Sequence, residues 1–161
     1  MFAIIRSVRF HCQLFVMDAS SERSPAGPNA TRRVLIVEDE DLVAKAVAEM
    51  LTDLGCSEVH HTDNVEAALQ SIDAIRPAIV ILDASLRGIA AYRVAVRLKE
   101  YGIPFIVATG FDAKRLPDEF SFGIPLRKPY GMADLVQALE EAGRRLASDA
   151  PQSERTPERG A

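Results

Sequence analysis

The stretch Ala78-Ile-Val-Ile-Leu-Asp83 decides the fold, because it is an uninterrupted apolar run that ends in a carboxylate. Such a run is typical of a strand buried on both faces, as in the centre of a parallel sheet. Open α/β sheets place their functional sites in the crevice beyond the carboxyl ends of such strands. Asp83 is therefore a candidate site residue, although an aspartate that ends a strand in an ordinary turn would give the same local pattern.

The rest of the chain repeats a strand followed by a helix. Four more strands are predicted, at Arg33–Val37, Ser57–His61, Pro104–Ala108 and Gly123–Arg127. Helical periods between and after the strands predict helices at 42–54, 63–75, 90–101 and 132–146. The segment 111–120 should hold a helix that is short or irregular, because Pro117 interrupts it. Five such units with short connections predict a flavodoxin-like, doubly wound (βα)5 fold, with a five-stranded parallel sheet in the order 2-1-3-4-5.

The helical periods also predict which side chains face the sheet and where one helix begins. In the first helix the inward face is predicted to comprise Leu42, Val43, Ala46, Val47, Met50 and Leu54. In the last helix it is predicted to comprise Leu135, Leu139, Ala142 and Leu146. Asp63, with Glu66 three residues later, resembles a capping box that opens the second helix.

Composition restricts the class of protein. A chain of 161 residues with 48% hydrophobic residues can bury one compact domain and carry tails. A net charge of −4, without a dense Lys/Arg stripe, argues against a nucleic-acid surface. Apolar runs are too short for a membrane span. The two cysteines, Cys12 and Cys56, match no metal or CxxC spacing, so free thiols and a cytoplasmic, reducing compartment are expected.

Both ends of the chain differ in composition from its middle. Residues 1–31 are predicted to be a disordered N-terminal extension, and Met17 could be the natural start, which would make residues 1–16 a start-site artefact. One domain is predicted over residues 32–147, followed by a disordered, polar tail at 148–161.

Chemically useful side chains follow four of the predicted strands. Glu38 and Asp39 come after the first strand, Asp83 ends the third, Thr109 follows the fourth and Lys128 the fifth. Parallel strands end at one edge of their sheet, so these groups are expected to converge. Clustered carboxylates suit a hard divalent cation such as Mg2+, and a lysine with a hydroxyl would offset charge on a phosphoryl group.

These residues make the chain from about Arg33 to Leu146 resemble a response-regulator receiver domain of two-component, phosphorelay signalling. The resemblance implies that Asp83 accepts a phosphoryl group from a histidine kinase or a histidine phosphotransfer protein, giving an aspartyl phosphate. It implies Mg2+ ligands at Asp39, Asp83 and the Ser85 backbone carbonyl, with Glu38 acting through water. Lys128 and Thr109 would hold the transferred oxygens, and the bond from Lys128 to Pro129 would be cis. A receiver of this kind is a signalling domain rather than an enzyme.

Some positions depart from the usual pattern of that family. The loop after Asp83 reads Ala84 to Gly88 without the common proline, and Pro125 stands three residues before Lys128, where many receivers carry a switch aromatic. Pro104-Phe-Ile-Val-Ala-Thr-Gly-Phe111 resembles instead the signature of FAT GUY receivers, which are typically stand-alone and have a degenerate fourth helix. Output is then expected through protein–protein contact, at the surface of the fourth helix, fifth strand and fifth helix, or the protein acts as a phosphate sink.

Two alternatives remain open at this point. One is a Mg2+-dependent phosphohydrolase with an aspartyl nucleophile, although that class places a second acid where Ser85 stands. The other is a pseudo-receiver that binds partners without phosphorylation. His60 and His61, at the end of the second strand, are expected to be solvated and are not included in the site.

Overall fold

A computed structural model of the protein describes residues 33–87, 89–110 and 116–149. The predicted N-terminal extension, Cys12, residues 111–115 and the tail from residue 150 onward lie outside the described residues.

Five strands form one parallel sheet whose order confirms the predicted flavodoxin-like topology. They are β1 (Arg33–Val37), β2 (Glu58–Thr62), β3 (Ile79–Asp83), β4 (Phe105–Thr109) and β5 (Ile124–Arg127). The order across the sheet is β2-β1-β3-β4-β5, and every neighbouring pair is parallel. β1 and β3 therefore lie side by side at the point where the strand order reverses.

Helices cover both faces of the sheet. They are α1 (Asp41–Asp53), α2 (Val65–Ile75), α3 (Tyr92–Glu100) and α4 (Met132–Asp149). Side chains of α1 and α4 pack with Val34 and Ile36 on one face, and those of α2 and α3 pack with Leu35 and Val37 on the other. The alternation along β1 is what a strand buried on both faces requires.

Two short elements complete the described chain. A 3-10 helix at Asp118–Phe120 follows Pro117, as expected for a segment that proline prevents from forming a regular helix. Beyond β3 a small antiparallel hairpin pairs Ser85–Leu86 with Ile89–Ala90. This hairpin was not predicted, and it delays the start of α3 to Tyr92.

Three predicted details of the helices are wrong. On the predicted inward face of α1, Val47 and Leu54 are buried and Val43 and Met50 are partly buried, as expected. Leu42 and Ala46 are exposed instead, Leu42 at 84%. Ala44 and Leu51, which were not predicted, are buried. α2 is capped by Asn64 and not by Asp63, because the Asn64 side chain accepts a hydrogen bond from the Ala67 N–H at 2.9 Å.

The third error concerns α4, which continues to Asp149 instead of ending at Leu146. Its inward face contains Leu135, Ala138 and Ala142, with Leu139 partly buried. The side chain of Leu146 lies outside the described part of the chain.

Cys56 lies just after α1 and is buried in the core cluster that also contains Val47 and Leu51. None of the helices in the described ranges has the length and apolarity that a membrane crossing demands.

Candidate functional site

One edge of the sheet collects the polar residues that follow the strands. β1 leads into Glu38 and Asp39, β3 ends at Asp83, β4 ends at Thr109, and Lys128 follows β5. The parallel register explains this convergence, since strands that run in one direction end on one side of the sheet. All five residues predicted from the strand ends are therefore present at this edge.

Lys128 bridges two carboxylates that come from different strands. Its Nζ atom lies 2.6 Å from Asp83 Oδ2 and 2.7 Å from Glu38 Oε2. The Glu38 side chain is almost fully buried, at 4% exposure, and the Asp83 side chain is 12% exposed. Charge-assisted hydrogen bonds at these distances are short and strong, so the ammonium group holds both carboxylates in place.

The second oxygen of Asp83 is held by the hairpin that follows it. The Ser85 N–H donates to Asp83 Oδ1 at 3.0 Å, which fixes the plane of the carboxylate. The Ser85 backbone thus lies directly beside the candidate phosphoacceptor. Its carbonyl oxygen as a metal ligand stays a prediction.

Thr109 lies next to this group at the end of β4. It is 2% exposed, and its carbonyl oxygen accepts a hydrogen bond from the Lys128 N–H at 2.8 Å. That bond extends the pairing of β4 and β5 to the point where Lys128 leaves the sheet. The backbones that carry the candidate hydroxyl and ammonium groups are therefore fixed relative to each other.

The three carboxylates fit a divalent cation. Oxygens of Glu38, Asp39 and Asp83 all lie within 4.8 Å of one another, at the boundary between core and solvent. With these groups ionised and Lys128 protonated, the pocket carries a formal charge of −2. Mg2+ prefers oxygen ligands and is usually held by one or two carboxylates with waters, so the donor set suits it.

Burial and charge shift the pKa values of two groups in this pocket. Burial raises the pKa of Glu38, and the nearby Asp83 charge adds to this effect, while the hydrogen bond from Lys128 opposes it. For Lys128 burial acts to lower the pKa, but the hydrogen bonds to Asp83 and Glu38 outweigh burial and raise it. Lys128 is therefore protonated throughout the physiological pH range.

Arg87 is a pocket residue that sequence reasoning missed. Its backbone N–H donates to Asp39 Oδ2 at 2.9 Å, and its guanidinium group is paired with Asp63, which follows β2. Nothing in the local sequence pattern indicates this contact, because the partners are 48 and 24 residues away along the chain.

The two histidines at the end of β2 behave differently from each other. His61 is exposed, yet its Nε2–H donates to the Glu38 carbonyl oxygen at 2.7 Å, so it supports the backbone of the acidic pair. His60 pairs with Glu58 at 2.8 Å on the same strand. Neither ring belongs to the carboxylate group described above.

Residues 34–140 match the family model described as the response regulator receiver domain, which covers about two thirds of the chain. The chain belongs to the receiver-domain family. Receiver domains are the phosphoryl-accepting modules of two-component signalling: they receive phosphoryl groups from histidine kinases and bind Mg2+ in an acidic pocket.

Several relatives share this receiver domain. The positive alginate biosynthesis regulatory protein of Pseudomonas aeruginosa is 36% identical over 117 residues, which cover 69% of this chain and 47% of that protein. The transcriptional regulatory protein PdtaR of Mycobacterium tuberculosis is 30% identical over 115 residues, covering 69% of this chain and 56% of PdtaR. The chain thus spans about half the length of the curated relatives it matches.

Solved structures give the same result for the fold. The solution structure of SdrG from Sphingomonas melonis Fr1 aligns with a TM-score of 0.61 at 34% identity, covering 70% of this chain and 95% of SdrG. The described strands and helices therefore correspond to nearly the whole of the SdrG fold.

Proposed function

We propose that Asp83 accepts a phosphoryl group from a phosphohistidine of a histidine kinase or a phosphotransfer protein, with Mg2+ bound in the adjacent pocket. The observation that carries this proposal is the position of the Asp83 carboxylate. It lies 2.6 Å from the Lys128 ammonium group and within 4.8 Å of oxygens of Glu38 and Asp39. A nucleophile between a cation and a metal-binding pocket is what phosphoryl transfer requires.

The transfer step follows from these positions. An Asp83 oxygen forms a bond to phosphorus while the bond from phosphorus to the donor imidazole nitrogen breaks, and that nitrogen keeps the electron pair and takes up a proton. Lys128 moves from the Asp83 carboxylate to a phosphoryl oxygen, and the Thr109 hydroxyl holds a second one. Asp39, Asp83 and the Ser85 carbonyl would bind Mg2+, and Glu38 would act through water. Bound Mg2+ neutralises negative charge on the phosphoryl oxygens.

We further propose that output occurs through the edge of the sheet formed by the 3-10 helix, β5 and α4. A groove of about 670 Å³ runs between β5 and α4 and carries the charged side chains of Arg127, Asp134 and Glu141. Pro125 lies on β5 at the position where many receivers carry a switch aromatic. Signalling by rotation of an aromatic side chain at that position is therefore excluded, and a partner would read the surface itself or the protein would act as a phosphate sink.

The experiment is phosphorylation of the purified protein with a small-molecule phosphodonor and Mg2+. We expect one acid-stable, base-labile phosphoryl adduct by intact mass, absent from Asp83→Asn. Asp53→Asn is the matched control, because Asp53 is an exposed aspartate at the end of α1. The adduct should be lost when Mg2+ is removed by a chelator.

Two other outcomes of this experiment would each favour an alternative function. Steady turnover of general phosphomonoesters, abolished by Asp83→Asn, would identify a phosphohydrolase. Absence of an adduct with any small donor and with any phosphorylated histidine protein would leave a pseudo-receiver, which binds partners without phosphorylation.

A further inference from the structure

Arg87 joins two loops across the acidic pocket. Four residues after Asp83, its N–H donates to Asp39 Oδ2 at 2.9 Å, and its guanidinium group is paired with Asp63. One residue thus connects the hairpin after β3 with the segment after β2 and with a carboxylate of the proposed metal site.

The backbone of Arg87 is in a conformation that does not favour a residue with a side chain. Its φ is 50°, in the left-handed region, which disfavours non-glycine residues by roughly 1 kcal/mol. The conformation persists because the surroundings hold it, and Arg87 has two such contacts, the N–H bond to Asp39 and the ion pair with Asp63.

Asp63 is well placed to act as the fixed partner. The Asn64 side chain donates to Asp63 Oδ1 at 2.7 Å, and Asn64 is itself fixed as the N-cap of α2. The hydrogen bond from Asn64, together with the Arg87 charge, lowers the pKa of Asp63 and keeps it ionised. The ion pair therefore links the loop that carries Arg87 to the start of a helix.

We propose that Arg87 is a positioning residue for Mg2+ binding: its ion pair with Asp63 keeps the Arg87 N–H on Asp39 and so orients the Asp39 carboxylate towards Glu38 and Asp83. This inference rests on the proposed function. A hydrogen bond to one oxygen leaves the other oxygen and further lone pairs of the carboxylate free for a cation. Metal-binding carboxylates are commonly oriented by such hydrogen bonds.

The expected loss of Mg2+ affinity depends on the solvent exposure of the ion pair between Arg87 and Asp63. Loss of an outer hydrogen bond to a metal ligand typically weakens metal binding about 10- to 100-fold. Replacement of Arg87 or Asp63 removes only the ion pair that supports this hydrogen bond. The side chain of Arg87 is 63% exposed and that of Asp63 is 41% exposed. Exposed pairs contribute little, so we expect Mg2+ affinity to fall by about two- to fivefold.

The test is calorimetric titration of the unphosphorylated protein with Mg2+, comparing native protein with Asp63→Asn and Arg87→Ala. The two variants change net charge in opposite directions. Simple electrostatics would make Arg87→Ala bind Mg2+ more tightly, since a positive charge beside the pocket is lost. Positioning of Asp39 instead predicts weaker binding in both variants. The charge-swapped pair Asp63→Arg with Arg87→Asp keeps the net charge and should restore most of the affinity.

A control variant separates this effect from general loosening of the fold. Glu66→Gln breaks the exposed ion pair between Glu66 and Arg93, which also joins the α2 segment to α3 but does not reach the pocket. Its Mg2+ affinity should equal that of the native protein. Amide hydrogen exchange at Arg87, measured without Mg2+, should be faster in Asp63→Asn than in native protein and unchanged in Glu66→Gln.

The failures of the two proposals are distinguishable. Mg2+ binding that is unchanged in Asp63→Asn, stronger in Arg87→Ala, or equally weakened in Glu66→Gln would overturn the positioning role while leaving the metal site intact. Native protein that binds no Mg2+ would overturn the proposed function itself.

Discussion

Lys128 balances the charge of the pocket at the level of a single residue. Its ammonium group is shared between Glu38 and Asp83, and the Glu38 side chain is almost fully buried. Removal of one partner from a buried charge group leaves the remaining charge without compensation. The same residue that would bind a phosphoryl oxygen therefore also stabilises the unphosphorylated fold.

Replacement of Lys128 by methionine should lower the free energy of unfolding by about 1–3 kcal/mol at neutral pH. Without the lysine, the pKa of Glu38 rises further above its usual range, so the folded state binds a proton more readily than the unfolded state. The loss should therefore grow as pH rises from about 5 to 7. Urea unfolding at both pH values, in buffer that contains a chelator, measures this loss in the free energy of unfolding. Lys45→Met, on the exposed face of α1, is the control. An equal loss at both pH values would mean that packing, not charge, is responsible.

Gly123 is a second residue on which the stability of the fold depends, in this case because it has no side chain. A Cβ atom at this position would lie 2.6 Å from the Phe105 ring and still closer to Val107, and both of these side chains are buried in the core. The chain just before β5 can therefore lie against β4 only because residue 123 has no side chain.

Gly123→Ala should destabilise the protein by about 1–3 kcal/mol through overpacking. Gly110→Ala is the matched control, since nothing lies within 4 Å of a Cβ at that position. Urea unfolding of both variants compares their free energies of unfolding. A stability of Gly123→Ala equal to that of the control would show that Phe105 and Val107 adjust without cost.

At the level of elements, the start of α2 depends on one side chain. Asn64 accepts the Ala67 N–H and thereby satisfies one of the free donors of the first turn. Asn64→Ala should lower stability by about 1 kcal/mol, and Gln70→Ala on the exposed face of the same helix should have little effect. Thermal unfolding compares the two. Equal melting temperatures would show that the cap adds little and that packing against the sheet and α3 holds α2 in place.

The elements also show what sequence patterns can and cannot predict. Strand positions and their order followed from apolar runs and βα alternation, because a strand buried on both faces has few alternatives. The inward face of α1 was predicted only in part, since apolar residues surround its first two turns and the period allows more than one orientation. The sheet selects Ala44, Val47 and Leu51, and Leu42 is left exposed.

The functional site was predictable to the same extent as the sheet. Once the strand order is known, the parallel direction of the strands brings Asp39, Asp83 and Lys128 to one edge of the sheet. The ion pair of Arg87 with Asp63 was not predictable, because it depends on a left-handed residue in a loop and on the cap of a helix. Such contacts are set by three-dimensional packing and leave no periodic pattern.

For the whole molecule, Mg2+ should act as a stabilising ligand. A ligand that binds only the folded state stabilises it by about 2.7 kcal/mol at a hundredfold excess over Kd. We expect the melting temperature to rise with Mg2+ concentration in native protein and to stay constant in Asp39→Asn. A parallel rise in that variant would place the cation elsewhere on the surface.

The distance along the chain between the members of the pocket has a consequence for synthesis of the protein. Lys128 is 45 residues beyond Asp83 and 90 residues beyond Glu38, and it reaches them only when β5 has paired with β4. Contacts between distant residues form late in folding, because a long loop must close first. A growing chain on the ribosome would thus carry its aspartate long before the matching ammonium group. In the role proposed here, Lys128 could bind a phosphoryl oxygen at Asp83 only after β5 has paired with β4.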